Sequence, residues 1–123
     1  MAQPKPILVV EDDHDVRDAM VEVLQAEGYD AVAASDGMEA LEQLQAGLEP
    51  CMIVLDLMMP RMDGWQFMAQ HEVRHSNAPI VVVSAYGSED AVRSAGVAAY
   101  MHKPVDVDEL LGVIARHCGD PRA

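Results

Sequence analysis

Short runs of purely apolar residues alternate along this chain with stretches of helical periodicity, and this alternation limits the possible folds more than any other feature of the sequence. The strongest runs lie at residues 7–10, 52–55 and 80–83. Continuous apolar runs of this length are typical of strands that are buried on both faces, as strands of parallel sheets are. Two weaker strands are predicted at residues 30–34 and 97–101.

An amphipathic stretch follows each predicted strand. We expect Asp13, Asp36 and Asp106 to cap the first, second and last helices, because a carboxylate can accept the unpaired N–H groups of a first turn. Glu39 is expected to complete a capping box with Asp36, and Gly28 to end the first helix. The predicted helices cover residues 16–27, 36–48, 65–75, 88–95 and 107–117.

Apolar side chains that recur every three or four residues give each helix one face that we expect to pack on the sheet. The expected core side chains are Ala40, Leu41, Leu44 and Leu48 in the second helix, Trp65, Met68 and Val73 or their neighbours in the third, and Ala91, Val92 and Ala95 in the fourth.

Five strand–helix units in strict alternation predict an α/β fold. The expected architecture is a doubly wound, five-stranded parallel sheet with helices on both faces and right-handed crossovers. The 123 residues suit one compact domain. In open sheets of this kind, ligands bind at the carboxyl ends of the strands. The residues that follow the strands are therefore the candidates for function.

The charge balance excludes several classes of function. The chain has 21 Asp and Glu residues against 8 Lys and Arg residues, which gives a net charge of −13. A domain this acidic lacks the basic surface that direct binding to nucleic acid or to an anionic membrane requires. No apolar run approaches the roughly 20 residues that cross a bilayer, and the amino-terminal residues lack the apolar core of a signal peptide. We therefore expect a cytoplasmic protein that works through protein partners.

The chain has two cysteines, Cys51 and Cys118, which lie far apart in the sequence. They form no Cys-x-x-Cys pair and have no Cys/His spacing typical of a metal site. Cytoplasmic cysteines are usually kept reduced. The sequence therefore predicts two buried free thiols.

Carboxylates, one hydroxyl and one lysine follow the predicted strands. Glu11 and Asp12 follow the first strand, Asp56 ends the third, Ser84 ends the fourth, and Lys103 comes after the fifth. Clustered carboxylates repel each other unless a cation or a proton is present, and a site made only of oxygen ligands favours Mg²⁺. Lys103 is either a structural counter-ion for these acids or an anchor for a phosphate group.

At these strand ends the sequence resembles the receiver domain of response regulators in two-component signalling, the CheY-like superfamily. The resemblance covers about residues 5–118, and it implies a flavodoxin-like sheet with strand order 2-1-3-4-5 and a single receiver domain over residues 1–123. The matching segments are residues 7–13, 54–64, 82–85 and 100–104.

The resemblance implies a phosphorylation site with a metal ion. Asp56 matches the aspartate that accepts a phosphoryl group. Glu11 and Asp12 match the acidic pair that holds Mg²⁺, with Asp12 as the more direct ligand. Asp56 and the backbone carbonyl of Met58 would complete the metal site.

The resemblance also implies which residues respond to the phosphoryl group. Ser84 and the amide of Ala85 match positions that bond to it, and Lys103 would pair with one of its oxygens. Tyr100 matches an aromatic switch position, which turns inward when phosphorylation draws Ser84 towards the phosphate. The bond between Lys103 and Pro104 matches one that is cis in the family.

The implied function is that of a response regulator. The domain would take a phosphoryl group from a histidine kinase or a phosphotransfer protein with Mg²⁺ and change conformation to signal to a downstream protein. It would catalyse only its own phosphorylation and dephosphorylation. Because residues 119–123 are all that follow the last predicted helix, we expect it to act through protein contacts alone or to be one piece of a larger protein, as a monomer or weak dimer.

The segment between Ser84 and Lys103 departs from the family pattern, because it is about one helical turn shorter than usual. The strand residues on both sides are accounted for, so we expect the shortage in the fourth helix, at roughly two turns in length. In the family this helix often belongs to the output or dimer surface. We therefore expect a locally unstable helix here and a dimer through this face that is weakened or replaced.

Two other functions remain open at this point. One is a Mg²⁺-dependent phosphohydrolase with Asp56 as nucleophile. Such enzymes usually place a second carboxylate two residues after the nucleophile, where this chain has Met58, and often carry an inserted cap domain for which 123 residues leave no room. The other is a receiver-like binding module that is not regulated by phosphate. The complete set of strand-end residues argues against it.

Overall fold

A computed structural model describes residues 5–70, 73–74, 76–85 and 89–121. The strands are β1 (Ile7–Val10), β2 (Ala31–Ala34), β3 (Met52–Asp56), β4 (Ile80–Ser84) and β5 (Ala99–His102). The helices are α1 (His14–Ala26), α2 (Gly37–Gln45), α3 (Gly64–Met68), α4 (Glu89–Ser94) and α5 (Val107–Cys118). None of the helices in the described part of the chain has both the length and the apolar character needed to span a lipid bilayer.

The strands form one parallel sheet in the order β2-β1-β3-β4-β5, which confirms the predicted flavodoxin-like topology. The register pairs Val10 with Leu55 across β1 and β3. Glu11 and Asp56 are the next residues on each side, so the central pair of strands delivers both carboxylates to the same edge of the sheet. This adjacency of β1 and β3 creates the acidic site.

The core covers both faces of the sheet, and successive residues of a strand alternate between the faces. On β1, Ile7 and Val9 pack towards α1 and α5, while Leu8 and Val10 pack towards α2 and α3. All four are essentially inaccessible to solvent. Burial on both faces explains why the strands read as continuous apolar runs rather than as alternating ones.

Aspartates cap the helices as the sequence predicts. Asp13, Asp36 and Asp106 each accept a hydrogen bond from a backbone N–H in the first turn of α1, α2 or α5. Asp63 also caps a helix, α3, in a full capping box with Gln66. These caps fix the first turn of each helix near the carboxyl edge of the sheet.

The expected capping box at α2 does not form. The Glu39 carboxylate accepts from the hydroxyl of Ser35 at 2.6 Å and from its N–H at 3.3 Å, rather than from the N–H of Asp36. The chain enters α2 with Asp36 fully extended. Ser35 can donate to Glu39 from both its hydroxyl and its N–H, whereas Asp36 could donate only from its N–H. Asp36 still caps the helix through the N–H of Glu39.

The third helix differs from the expected one in its buried face. Phe67 and Val73 lie in the core, while Trp65 is 41% exposed, so the prediction for Trp65 was wrong. The cause is the close approach of Gly64 to the end of β3, where a Cβ would lie 2.9 Å from the carbonyl oxygen of Asp56 and 2.8 Å from the Cα of Leu57. This contact sets the helix rotation so that Phe67 faces the sheet. The helix ends at Met68, and parts of the predicted range 65–75 lie outside the described residues.

The fourth helix is short, in agreement with the expectation. It has six residues, Glu89–Ser94, and Ser88 lies outside the described part of the chain. Of the three expected anchors, Val92 is buried, but Ala91 and Ala95 are exposed. In a helix of less than two turns, only one of these apolar side chains can face the sheet.

Cys51 and Cys118 form a disulfide, so the prediction of two free thiols was wrong. Their Cα atoms are 5.5 Å apart although 67 positions separate them in the sequence. Cys51 lies just before β3, and α5 packs on the sheet with its last residue, Cys118, beside the amino end of that strand. The hydroxyl of Tyr29 also donates to the carbonyl of Gly119 at 2.8 Å. The carboxyl end of α5 is therefore tied to the edge of the sheet opposite the acidic residues.

Candidate functional site

Three carboxylates meet at the carboxyl edge of the sheet. Glu11, Asp12 and Asp56 each offer an oxygen, and these oxygens lie within 4.8 Å of one another. Glu11 and Asp56 are buried, whereas Asp12 is exposed. The site is therefore open on the side of Asp12 and closed behind the other two acids.

Lys103 reaches this cluster from the loop after β5. Its Nζ lies 2.5 Å from Oε1 of Glu11 and 3.4 Å from Oδ2 of Asp56. Its backbone N–H donates to the carbonyl of Ser84 at 3.1 Å, which joins the loop to the end of β4. The Lys103–Pro104 bond is cis, as expected. In the observed state Lys103 is the counter-ion of the two buried acids.

The surroundings of Glu11 and Lys103 change the pKa of both groups. Burial raises the pKa of Glu11 to about 7, and the neighbouring Asp56 adds to the rise, while Lys103 opposes it. Burial also disfavours the charged form of Lys103, but the hydrogen bond and charge of Glu11 outweigh it and raise the pKa of the ammonium above its usual value. The burial of Glu11, more than the charge beside it, therefore sets the direction of its shift, and Lys103 reduces the shift without cancelling it.

The donor set fits a hard divalent cation. All three acids present oxygen atoms that lie close enough together to hold one ion. Oxygen-only sites with one side open to water are typical of Mg²⁺. The residues present are therefore consistent with a receiver metal site.

The remaining site residues predicted from the sequence lie at or near the same edge. Ser84 is the last residue of β4 and is buried, and Ala85 follows it at the surface. The register pairs Asp56 with Val83 and Ser84 with His102. The N–H of Met58 donates to Oδ1 of Asp56 at 3.3 Å, and the Met58 side chain is 60% exposed.

Tyr100 on β5 is already buried in this structure, at 8% exposure. Its hydroxyl lies 3.4 Å from Nε2 of His102, and the two rings meet edge to face with centroids 5.4 Å apart. The sequence prediction missed His102. The available signal was its spacing of two from Tyr100, which puts both side chains on one face of the strand.

An open apolar cavity of about 550 Å³ lies beside Lys103, between α1 and the start of α5. Met20 and Val23 of α1 line one side, and Pro104 and Leu110 line the other. Lys103 is the residue through which this cavity adjoins the acidic cluster.

The fold and the site together define a receiver domain of two-component signalling. The chain belongs to the response regulator receiver domain family, whose family model matches residues 7–115. That range contains all the acidic cluster and Lys103.

Known proteins support this membership. The chain is 37% identical over 118 residues to the transcriptional regulatory protein PdtaR of Mycobacterium tuberculosis, a match that covers 92% of this chain and 56% of that protein. It is 29% identical over 114 residues to sporulation initiation phosphotransferase F of Bacillus subtilis, covering 90% of this chain and 91% of that one. The chain thus spans about half the length of the first relative and nearly all of the second.

Solved structures show the same fold. The crystal structure of a response regulator receiver protein from Pseudomonas putida superposes with a TM-score of 0.83 at 29% identity, over 94% of this chain and 99% of that one. A CheY-like receiver domain from Methanospirillum hungatei superposes with a TM-score of 0.85 at 26% identity, over 98% of each chain.

Proposed function

We propose that this domain accepts a phosphoryl group on Asp56 and that phosphorylation controls its binding to a downstream protein. The observation that carries the proposal is the position of Asp56, buried at the end of β3, beside two further acids and within reach of Lys103. A carboxylate in such surroundings can be aligned and its charge compensated, which is what phosphoryl transfer chiefly requires.

Glu11, Asp12, Asp56 and the backbone carbonyl of Met58 are the groups that we expect to hold Mg²⁺. When bound, the ion would neutralise the negative charge shared by Asp56 and the incoming phosphoryl group. Asp12, the exposed member of the cluster, is the group most free to adjust to the ion and its water molecules.

In the proposed transfer, one oxygen of Asp56 attacks the phosphorus of a phosphohistidine, and the P–N bond breaks as the P–O bond forms. The electron pair of the broken bond returns to the imidazole of the donor. Lys103, which now contacts Glu11, would pair with an oxygen of the transferred group, and the Ser84 hydroxyl and the Ala85 N–H would donate to others. The product is an acyl phosphate, which water can hydrolyse.

The conformational response is proposed to run through Ser84 and Tyr100. The phosphoryl group adds close to two negative charges, which would attract the Ser84 hydroxyl. Tyr100 packs in a cluster with Leu57, Val82 and Val92, so a shift of Ser84 at the end of β4 changes the packing around its ring. Because Tyr100 is buried before phosphorylation, we expect its contact with His102 to change rather than its burial.

The proposed phosphoryl donor is a histidine kinase or a phosphotransfer protein. The apolar cavity beside Lys103 borders the edge where the donor must bring its histidine, which supports docking of the donor near α1. We further propose that residues 1–123 act as one receiver domain in the cytoplasm, as a monomer or weak dimer. Its net charge of −13 opposes direct binding to nucleic acid.

A turnover enzyme is the less favoured function. The residue two positions after Asp56 is Met58, whose exposed side chain offers no carboxylate for acid–base catalysis. The domain is therefore proposed to catalyse only the formation and loss of its own acyl phosphate.

The test is phosphorylation by acetyl phosphate with Mg²⁺, followed by intact-mass measurement. We expect one added phosphate in the wild type and none in Asp56→Asn. The matched control is Asp63→Asn, which makes the same chemical change at a helix cap of the following loop and should label normally. A labelled Asp56→Asn protein would refute the assignment, and rapid turnover of p-nitrophenyl phosphate would favour the phosphohydrolase.

A further inference from the structure

The loop that follows Asp56 contains a strained turn. The N–H of Met62 donates to the carbonyl of Pro60 at 2.7 Å, so the turn spans three residues with Arg61 at its centre. Arg61 has a φ of +64°. Positive φ is uncommon for a residue with a side chain, and a three-residue turn of this hand is rare and strained. Such a conformation persists only where its surroundings hold it.

An ion pair holds the tip of this loop. Arg61 donates to one oxygen of Asp36 from Nε at 2.7 Å and from Nη2 at 2.6 Å. The other oxygen of Asp36 accepts from the N–H of Glu39 at 2.9 Å, the cap of α2. Asp36 is buried, and although burial alone would raise the pKa of its carboxyl, the bonds from Glu39 and Arg61 hold it below the usual value. The loop is thus anchored to a fixed, charged group.

A second contact presses the loop against α2. A Cβ on Gly37 would lie 2.9 Å from the carbonyl oxygen of Met62, so only glycine lets the loop backbone come this close. At its base, the N–H of Gly64 donates to the carbonyl of Leu57 at 2.8 Å. Both the tip and the base of the loop are therefore fixed, and Met58 lies between them.

We propose that Arg61 is a positioning residue for the metal and phosphorylation site. Its bond to Asp36, together with the Gly37 contact, holds residues 57–63 in the arrangement that directs the Met58 carbonyl towards the acidic cluster before a metal ion arrives. The inference rests on the proposed function, since that function makes the Met58 carbonyl a metal ligand. The sequence pattern gave no sign of it because Asp36 and Arg61 belong to different strand–helix units.

A positioning role can be distinguished from a purely electrostatic one by whether Arg61→Ala and Asp36→Asn each raise or lower the affinity for Mg²⁺. If Arg61 acted only through its charge, Arg61→Ala would remove a cation and strengthen Mg²⁺ binding, whereas Asp36→Asn would remove an anion and weaken it. If the pair positions the loop, both single variants bind Mg²⁺ more weakly than the wild type. The double variant then has about the affinity of the single variant that binds Mg²⁺ least well, because both substitutions break the same contact. Asn at position 36 keeps the helix cap.

The experiment is a Mg²⁺ titration of the wild type, Arg61→Ala, Asp36→Asn and the double variant by calorimetry. The matched control is Arg93→Ala, which removes an arginine from the exposed ion pair with Glu89 on α4. A second readout is hydrogen exchange of residues 57–63 in chelator, where no metal contributes. Arg61→Lys keeps the charge but lacks the paired donors, and we expect it to fall between the wild type and Arg61→Ala.

We expect Arg61→Ala and Asp36→Asn each to bind Mg²⁺ about tenfold more weakly than the wild type. This is the lower end of the loss in metal affinity seen when residues that hold metal ligands in place are replaced. We also expect faster metal-free exchange in residues 57–63, with Arg93→Ala unchanged on both counts. Wild-type or tighter binding by Arg61→Ala overturns the inference, and so does unchanged exchange in the loop. If the wild type binds Mg²⁺ and labels on Asp56 while Arg61→Ala behaves identically, the inference alone fails. If the wild type binds no Mg²⁺, both the proposed metal site and this inference fail.

Discussion

The ammonium of Lys103 lies nearer to Glu11 than to Asp56, at 2.5 Å against 3.4 Å. The lysine expected to meet a phosphoryl group on Asp56 is therefore engaged elsewhere before phosphorylation. A phosphoryl group would have to compete with the Glu11 carboxylate for this cation. The charge of Glu11 would therefore affect how readily Lys103 moves to a phosphoryl group on Asp56.

Glu11 gives the metal-free domain a defined pH dependence. Its folded pKa is about 7 against an ordinary value of 4.5, so between these values the folded state binds more protons than the unfolded state. The free energy of unfolding therefore falls as pH rises from about 4.5 to 7, by at most about 3 kcal/mol from this group. The raised pKa of Lys103 adds stability that is fully present below its ordinary value of 10.5 and is lost only above it, so it does not affect the slope between pH 5 and 8. Urea unfolding in chelator at pH 5, 6, 7 and 8 measures the slope.

The control for this slope is Glu11→Gln, which keeps the other acids of the domain and therefore its general charge repulsion. We expect its unfolding free energy to change much less between pH 5 and 8 than that of the wild type. Equal slopes in the two proteins would mean that Glu11 is already ionised at pH 5.

Asp12 and Asp13 are neighbours in sequence with different expected roles. Asp12 belongs to the acidic cluster, whereas Asp13 caps α1 by accepting from the N–H groups of Asp15 and Val16. Asp12→Ala should weaken Mg²⁺ binding at least about tenfold with little change in stability, because it removes a ligand. Asp13→Ala should lower stability by ~1 kcal/mol and leave Mg²⁺ binding nearly intact. Parallel titrations and urea unfolding decide this, and equal losses of affinity would contradict the assignment of Asp12.

The disulfide between Cys51 and Cys118 should stabilise the fold without affecting phosphorylation. It closes a loop of 67 positions, for which the chain-entropy estimate is about 4 kcal/mol, and measured values are commonly lower. It joins the edge of the sheet opposite Asp56. We expect reduction to lower the urea midpoint and to leave the rate of labelling by acetyl phosphate unchanged.

The matched control is Cys51→Ser with Cys118→Ser, whose stability should not respond to reductant. A thiol titration of the unreduced, unfolded protein supplies the direct check. Two free thiols in that measurement would show that the bond does not form in solution.

The sequence predicts the sheet well because the signal for each strand is local. A four-residue apolar run followed by a polar residue identifies both a buried strand and the edge at which it ends. Because parallel strands end at one edge, the strong runs before Glu11 and Asp56 and the weaker strand before Lys103 predict that these residues lie at the same edge of the sheet. The strand order that makes Glu11 and Asp56 neighbours was implied by the family resemblance. The helix caps at Asp13 and Asp106 are equally local signals.

One error is local, because Glu39 bonds to Ser35 instead of forming the expected capping box. The other differences concern contacts that depend on how separate units pack. Cys51 and Cys118 meet only because α5 ends beside the start of β3, and Asp36 meets Arg61 across two strand–helix units. Trp65, which was expected in the core, is exposed, and Phe67 is buried instead, because the approach of Gly64 to the end of β3 sets the rotation of α3. No periodicity within a single segment carries this information.

The last prediction concerns the stability of α4. This helix has six residues and buries Val92 alone among them, whereas α1 has 13 residues and α5 buries three side chains over 12. A helix this short depends on packing for its stability, and the ion pair between Arg93 and Glu89 is exposed and contributes little. We expect its amides to exchange at least about tenfold faster than those of α1 in the unphosphorylated domain. The matched comparison is α2, with nine residues, an aspartate cap and two buried apolar side chains, which should be protected more strongly than α4.

A weak α4 also limits assembly through the surface that it shares with β5 and α5. Ordering a frayed helix on association costs conformational entropy, which reduces the free energy left for a dimer. We therefore expect sedimentation to show a monomer or a weak dimer both before and after labelling with acetyl phosphate. Strong protection of residues 89–94 would contradict the proposed instability of α4. A tight dimer that forms on phosphorylation and is lost when the exposed Arg93 is replaced would contradict the expected weakness of a dimer through this surface.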